Sequence, residues 1–155
     1  ENYLITQNID GLHQQSGVPE NKIIEIHGNA IESKCLNCGK KAGILDFHAA
    51  ILANDPLPKC FDCGGIVKVA TISFGQPMNE NDMLRASNLS SQCDLMIVMG
   101  SSLSVMPAGQ IPNLAIQSGA KLVILNREET IYDAMADIVI NDELKTICSE
   151  LIKLF

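Results

Sequence analysis

Four of the six cysteines stand in two tight pairs, Cys35-x2-Cys38 and Cys60-x2-Cys63, with 21 residues between the pairs. A pair at this spacing forms a knuckle whose two thiolates reach one ion, and Gly39 and Gly64 beside the pairs suit the turns. Cys35, Cys38, Cys60 and Cys63 complete a tetrahedral site with no open position, so the zinc they imply is structural rather than catalytic. His48 lies between the pairs as a further nitrogen ligand in principle; with four sulfurs present, a solvent-facing histidine is the simpler reading. Cys93 and Cys148 sit among apolar neighbours and read as small buried hydrophobes.

Three other stretches carry groups able to do chemistry. In "EIHGN" (25–29) His27 precedes a glycine and follows Ile23, Ile24 and Ile26, so it reads either as a general base or as a structural histidine beside a core. "GSS" places Gly100, Ser101 and Ser102 after an apolar strand, where backbone N–H groups and hydroxyls can hold phosphate or ribose; a plain strand-to-loop turn explains them as well. "NRE", Asn126, Arg127 and Glu128, ends another strand and can accept from ribose hydroxyls, or can be a helix cap with solvated charges. The segment "YLITQNIDGLH" (3–13) turns from apolar to densely polar at Gln7, Asn8 and Asp10, more hydrogen-bonding capacity than a strand end requires.

The elements that must position these groups follow a regular rhythm. "VATISF" (69–74), "LMIVMG" (95–100), "KLVILN" (121–126) and "DIVIN" (137–141) are short apolar runs suited to strands buried on both faces of a parallel sheet. Asn79 is positioned to cap a helix carrying Met83, Leu84, Ala86 and Leu89, and Pro112 to open another that stops at Gly119. Leu144, Ile147, Cys148, Leu151, Ile152 and Phe155 fall on one face of a closing helix, a core-packing stripe. The pattern predicts an α/β fold, a Rossmann-like doubly wound parallel sheet formed by 1–30 and 69–155, with 31–68 as a small inserted zinc-binding module. A short helical piece is expected in that module around Ile44, Phe47 and Ile51.

Composition narrows the function classes. The 155 residues are 46% hydrophobic with mean hydropathy +0.15, ample for a core. Eleven basic against eighteen acidic residues give net charge −7, and the basic residues do not cluster along the chain, which argues against direct nucleic-acid binding. No run spans a bilayer and no signal peptide is evident, so the expected location is the cytoplasm, or the nucleus, without membrane attachment.

Taken in order, "TQNIDGLH", "IHGN", the two cysteine pairs, "SFGQP", "GSSLSVMPA", "LVILN" and "DIVI" resemble the sirtuin family of NAD-dependent protein deacylases, nearly end to end from Leu4 to about Ile140. The resemblance implies that Gln7, Asn8, Ile9 and Asp10 line the pocket for the nicotinamide riboside of NAD. Asp10 meets the carboxamide, and Asn8 places the ribose and an attacking water. It implies that His27 is the catalytic base, that Gly100, Ser101 and Ser102 hold phosphate and ribose, and that Asn126, Arg127 and Glu128 meet the adenosine half. Phe74, Gly75 and Gln76, with Ser104 and Val105, correspond to the two segments between which an acyl-lysine peptide pairs as an added strand. The implied activity is transfer of an acyl group from lysine to ADP-ribose with release of nicotinamide.

Three departures from the family qualify these expectations. Gln76 stands where many relatives carry glutamate, and "GSSL" replaces the commoner "GTSL". The family's N-terminal third, with its first strand and "GAGxS" phosphate loop, is not in this sequence. The expectation is that this chain alone binds NAD weakly or not at all and is inactive unless that segment, or another chain, completes the sheet. The rival readings are protein mono-ADP-ribosyl transfer, which uses the same C1′ chemistry, and an inactive zinc-stabilised binding fragment.

Overall fold

The computed structural model describes residues 1–47 and 57–154. His48, Ile51 and Phe155, named above, lie outside the described residues. The chain forms two units, Glu1–Asp82 and Met83–Phe155.

In the first unit, β1 (Leu4–Thr6) pairs in parallel with β2 (Ile23–Glu25), Leu4 opposite Ile23 and Thr6 opposite Glu25. The β-branched run after Lys22 favours an extended backbone, and Ile23, Ile24 and Ile26 are buried. Removing a side chain the size of Ile24 from water contributes about 1.5–3 kcal/mol, enough to fix this short pair. The next three strands, β3 (Gly28–Cys35), β4 (Lys41–Gly43) and β5 (Val67–Thr71), form an antiparallel sheet in the order β4-β3-β5. Its inner face buries Ser33, Cys35 and Val67. The helical piece expected near Ile44 is a single 3-10 turn over Ile44–Phe47 within the described residues.

This arrangement corrects one expectation. "VATISF" is not a strand of the parallel sheet; its strand begins earlier, at Val67, ends at Thr71, and pairs antiparallel with β3, Cys35 opposite Val67 and Gly28 opposite Thr71. A strand's apolar run does not report the direction of its partner.

In the second unit, β6 (Leu95–Met99), β7 (Lys121–Leu125) and β8 (Ile138–Ile140) form the expected parallel sheet in the order β6-β7-β8. The helix Ile111–Gln117 connects β6 to β7, with Pro112 in its first turn. Asn79 caps the helix Glu80–Ser90, its Oδ1 accepting from the N–H groups of Asn81 (2.9 Å) and Asp82 (3.3 Å). One sheet face is closed: Val98, Leu122, Ile124, Leu103 and Tyr132 are buried together, with Met96, Val139 and the helix residue Ile116 packed against them.

The other face is partly open, against the expectation of strands buried on both sides. Leu95, Ile97 and Met99 are each about half exposed and Ile138 is 53% exposed, while Leu125 in the same layer is buried. The closing helix Leu144–Ile152 likewise buries only Ile147 of its apolar stripe; Leu151 and Ile152 are exposed. Cys93 is half-buried rather than buried, its Sγ donating to the Ser90 carbonyl at 3.2 Å, and desolvation raises its thiol pKa.

Candidate functional site

The polar tip of β1 is built as a set of hydrogen-bonded turns. Thr6, buried at the strand's end, accepts from the Asn8 N–H at 3.0 Å through Oγ1, and the same oxygen lies 3.2 Å from His13 Nε2. The Asp10 carboxylate accepts from the Leu12 N–H at 3.1 Å, which turns the chain into the short helix Leu12–Gln15. Asn8, Ile9 and Asp10 are exposed at this tip.

His27 stands beside it. Its Nδ1 lies 3.2 Å from the Gln7 backbone oxygen. A carbonyl can only accept, so the bond places the ring proton on Nδ1 and leaves the Nε2 lone pair as the basic site of the neutral imidazole. Both flanks of the histidine are anchored. The Ile26 N–H donates to the Thr6 carbonyl (3.1 Å), and the His27 carbonyl accepts from Ile72 N–H (2.9 Å). Gly28 has φ of +68°, and a Cβ there would meet the Ala70 oxygen at 2.0 Å, so only glycine lets β3 approach β5 here.

A side-chain network that sequence reasoning did not single out braces the same loop. Asn29, buried, donates from Nδ2 to Glu25 (2.9 Å) and Glu32 (3.1 Å) and accepts the Glu32 N–H at Oδ1 (2.9 Å). Gln14 Nε2 donates to the other Glu25 oxygen at 2.8 Å. Lys41, 2.7 Å from Glu32, holds that carboxyl below its usual pKa. The signal was present in "IHGN" and "LHQQ", where amides surround the histidine, but their partners are distant in sequence.

The cysteine prediction is met closely. Sγ atoms of Cys35, Cys38, Cys60 and Cys63 all lie within 4.8 Å of one another, with Cys35–Cys63 at 3.5 Å and Cys38–Cys60 at 3.8 Å, and none forms a disulfide. Four thiolates at the ~2.3 Å zinc–sulfur distance span edges of about 3.8 Å, so the donor set fits a tetrahedral zinc. Backbone N–H groups of Asn37 and Cys38 point at Cys35 Sγ (3.4 and 3.5 Å). The Gly65 N–H, with the Asn37 amide, brings the Cys63 thiol down to about 6. The backbone at Lys40 pulls Cys38 the same way, yet the neighbouring Cys63 and Cys35 sulfurs outweigh it and hold Cys38 at about 12. A bound cation removes that conflict by stabilising every thiolate at once.

In the second unit, Gly100, Ser102, Asn126, Arg127 and Glu128 line one cavity of about 280 Å³. Ser101 is not in its lining; its Oγ accepts from the Leu103 N–H at 3.3 Å. Gly100 has φ of +63°, and a Cβ there would meet Leu144 at 2.7 Å, so the glycine keeps strand β6's exit open. Asn126 is buried, donates from Nδ2 to the Glu128 carbonyl (2.7 Å) and accepts at its own carbonyl from Asn141 (3.1 Å). Arg127 pairs with Glu143 (3.2 Å) and Glu128 (3.5 Å), which raise its pKa. Asp142, Glu143 and Leu144 complete the wall and were missed, because the run that contains them reads first as a core helix. With three carboxylates against one guanidinium, this cavity favours hydroxyl donors such as a ribose over a phosphate.

Of the residues expected to bind peptide, Phe74 is 99% exposed on the loop after β5, and Gly75 has φ of +82°. The Gln76 N–H donates to the Ser73 carbonyl (2.9 Å), and the Gln76 Oε1 accepts from the Ser73 N–H (3.0 Å). Ser104 bonds the Ser102 hydroxyl at 2.8 Å, and the Val105 carbonyl accepts from the Gly109 N–H at 2.7 Å.

A parallel α/β sheet together with a four-cysteine antiparallel module of zinc-site type, and a histidine fixed beside a polar strand tip, define a Rossmann-like α/β protein. The Sir2 family model matches residues 1–107, and the chain belongs to that family. It is 46% identical over 141 residues to an NAD-dependent protein deacetylase of Rhodopseudomonas palustris, covering 91% of this chain and 56% of that protein. It is 38% identical over 150 residues to NAD-dependent protein deacetylase 2 of Streptomyces coelicolor, covering 97% of this chain and 62% of that one. Among solved structures, a Sir2–p53 peptide–NAD+ complex superposes with TM-score 0.90 at 38% identity, over 98% of this chain and 62% of the other. A Sir2 bound to acetylated peptide gives 0.91 at 37% identity, over 98% and 63%. The chain therefore spans little more than half the length of the proteins it matches.

Proposed function

We propose that this chain carries the catalytic base and the zinc-bearing part of an NAD-dependent protein-lysine deacylase. The observation that supports the reading most is the His27 Nδ1–Gln7 carbonyl bond, which presents Nε2 as a base beside the strand tip expected to hold the nicotinamide riboside. When bound, NAD supplies an electrophilic C1′ that the acyl oxygen of the modified lysine attacks as nicotinamide leaves, so that the acyl group ends on ADP-ribose. His27 takes the proton of a ribose hydroxyl in the second half of this exchange. Asp10 and Asn8 offer a carboxylate and an amide to the carboxamide, the ribose and the attacking water, and Asp10 is already oriented by its bond to Leu12. The carboxylates and Asn126 of the second unit's cavity accept from the adenosine ribose. The loops at Phe74–Gln76 and Ser104–Val105 offer backbone to the acyl-lysine peptide.

On the resemblance to the family, the chain taken alone is expected to bind NAD weakly or not at all, since no glycine-rich loop of the "GAGxS" kind stands within residues 1–155. The test is nicotinamide release from NAD that depends on an acetyl-lysine peptide, measured in this chain, in one extended upstream, and in the His27→Ala variant of each, with zinc content and melting followed in parallel. Loss of peptide-dependent release in the variant, at unchanged zinc content, is expected. Equal release by the variant removes His27 from the mechanism, and ADP-ribose found on a protein acceptor in place of acyl-ADP-ribose turns the reading to ADP-ribosyl transfer.

A further inference from the structure

The basic residues that are scattered along the chain are not scattered on the antiparallel sheet. Lys34 on β3 lies opposite Lys41 on β4 and opposite Lys68 on β5, so three of the eleven basic residues form one row across three strands. Residues directly opposite in antiparallel pairs share a face. This is the outer face, since Ser33, Cys35 and Val67 occupy the buried one. Like charges placed opposite one another weaken a sheet, so the row works against stability unless something negative covers it. Glu32 neutralises Lys41 at 2.7 Å, and Asp46 lies by Gly43 at the far end of β4. Neither Lys34 nor Lys68 has a carboxylate partner among the described residues, in a chain whose net charge is −7.

Lys68 also joins the row to the loop expected to bind peptide. Its ammonium donates to the Thr71 carbonyl at 2.5 Å and to Gln76 Oε1 at 3.2 Å. That same oxygen accepts from the Ser73 N–H, so lysine and amide together clip the Ser73–Gln76 turn that displays Phe74. A glutamate at position 76 would cancel the lysine's charge. The glutamine keeps the bond and leaves the charge available.

We infer that the Lys34–Lys68 end of this row binds acidic residues flanking the acyl-lysine of the substrate polypeptide, an inference that rests on the deacylase reading above. A polypeptide rather than a nucleic acid is the occupant, because Lys68 is tied to the peptide loop and the rest of the chain is acidic.

The test uses fluorescent acetyl-lysine peptides with acidic, neutral or basic flanks, each beside its unmodified counterpart, and a single-stranded oligonucleotide, with binding read by anisotropy at low and high salt. The acidic peptide is expected to bind about two- to fivefold more tightly than the neutral one for each lysine engaged, and to lose that advantage in high salt. Lys34→Gln, which leaves the loop clip intact, should reduce the advantage, and Lys68→Arg should keep it. Equal binding of acidic and neutral peptides, an undiminished advantage in Lys34→Gln, or tighter binding of the oligonucleotide than of the acidic peptide overturns the inference. Binding of the acetylated neutral peptide over its unmodified counterpart, without an acidic advantage, leaves the deacylase reading standing. If acetylation does not alter binding of any peptide, the deacylase reading itself fails, whatever the flanks do.

Discussion

The tip of β1 with His27, and the cavity at Gly100 and Asn126, are built in different ways. In the first, functional groups are set by backbone and amide hydrogen bonds among buried or half-buried atoms: Thr6 to Asn8, Gln7 to His27, and Asn29 to Glu25 and Glu32. In the second, only Asn126 is buried, and the charged wall is an exposed ion-pair chain in which the Arg127, Glu128 and Glu143 side chains are 69%, 74% and 63% accessible. The first has one geometry. The second can adjust its side chains at little cost.

The contrast predicts graded sensitivity. Stripping the metal from the first unit, by chelation or by Cys35→Ser, should act most strongly, because a structural zinc contributes on the order of 10 kcal/mol to folding. One zinc per chain by elemental analysis and loss of the folded signal on chelation are expected; a stable, zinc-free module breaks the picture at its base. In the chain extended upstream, His27→Ala should reduce peptide-dependent nicotinamide release by about 10²- to 10⁴-fold. Gly28→Ala forces a side chain into the Ala70 carbonyl at positive φ and should lower stability by about 2–4 kcal/mol in denaturant titrations. In the second unit, Asn126→Ala removes one buried amide bond and should cost about 1 kcal/mol. Arg127→Ala should change stability by less than about 0.5 kcal/mol. If Arg127→Ala proves as damaging as Gly28→Ala, the division into a fixed and an adjustable region is wrong.

What could be read from sequence was what side chains carry on their own. The paired cysteines, the Asn79 cap, Pro112 and the three parallel strands of the second unit needed only local spacing. The pairing of β5 with β3 did not show, because an apolar run is compatible with a parallel or an antiparallel neighbour. The half-open face of β6 and β8 did not show either, since hydrophobic residues look the same covered or uncovered. Asp142 and Glu143 lie just ahead of an amphipathic helix and were absorbed into it. The lysine row is the clearest case: Lys34, Lys41 and Lys68 are neighbours only through register. At the candidate site His27 was singled out by type, but its anchor was not, for backbone atoms leave no mark on a sequence.

That anchor has a consequence for how the site can change over generations. The acceptor that fixes the His27 proton is the oxygen of the peptide unit at Gln7, and every amino acid brings the same oxygen. No point mutation at position 7 can delete it; a mutation can only displace the strand that carries it. The tautomer of the histidine is thus inherited with the backbone and not with the side chain at position 7.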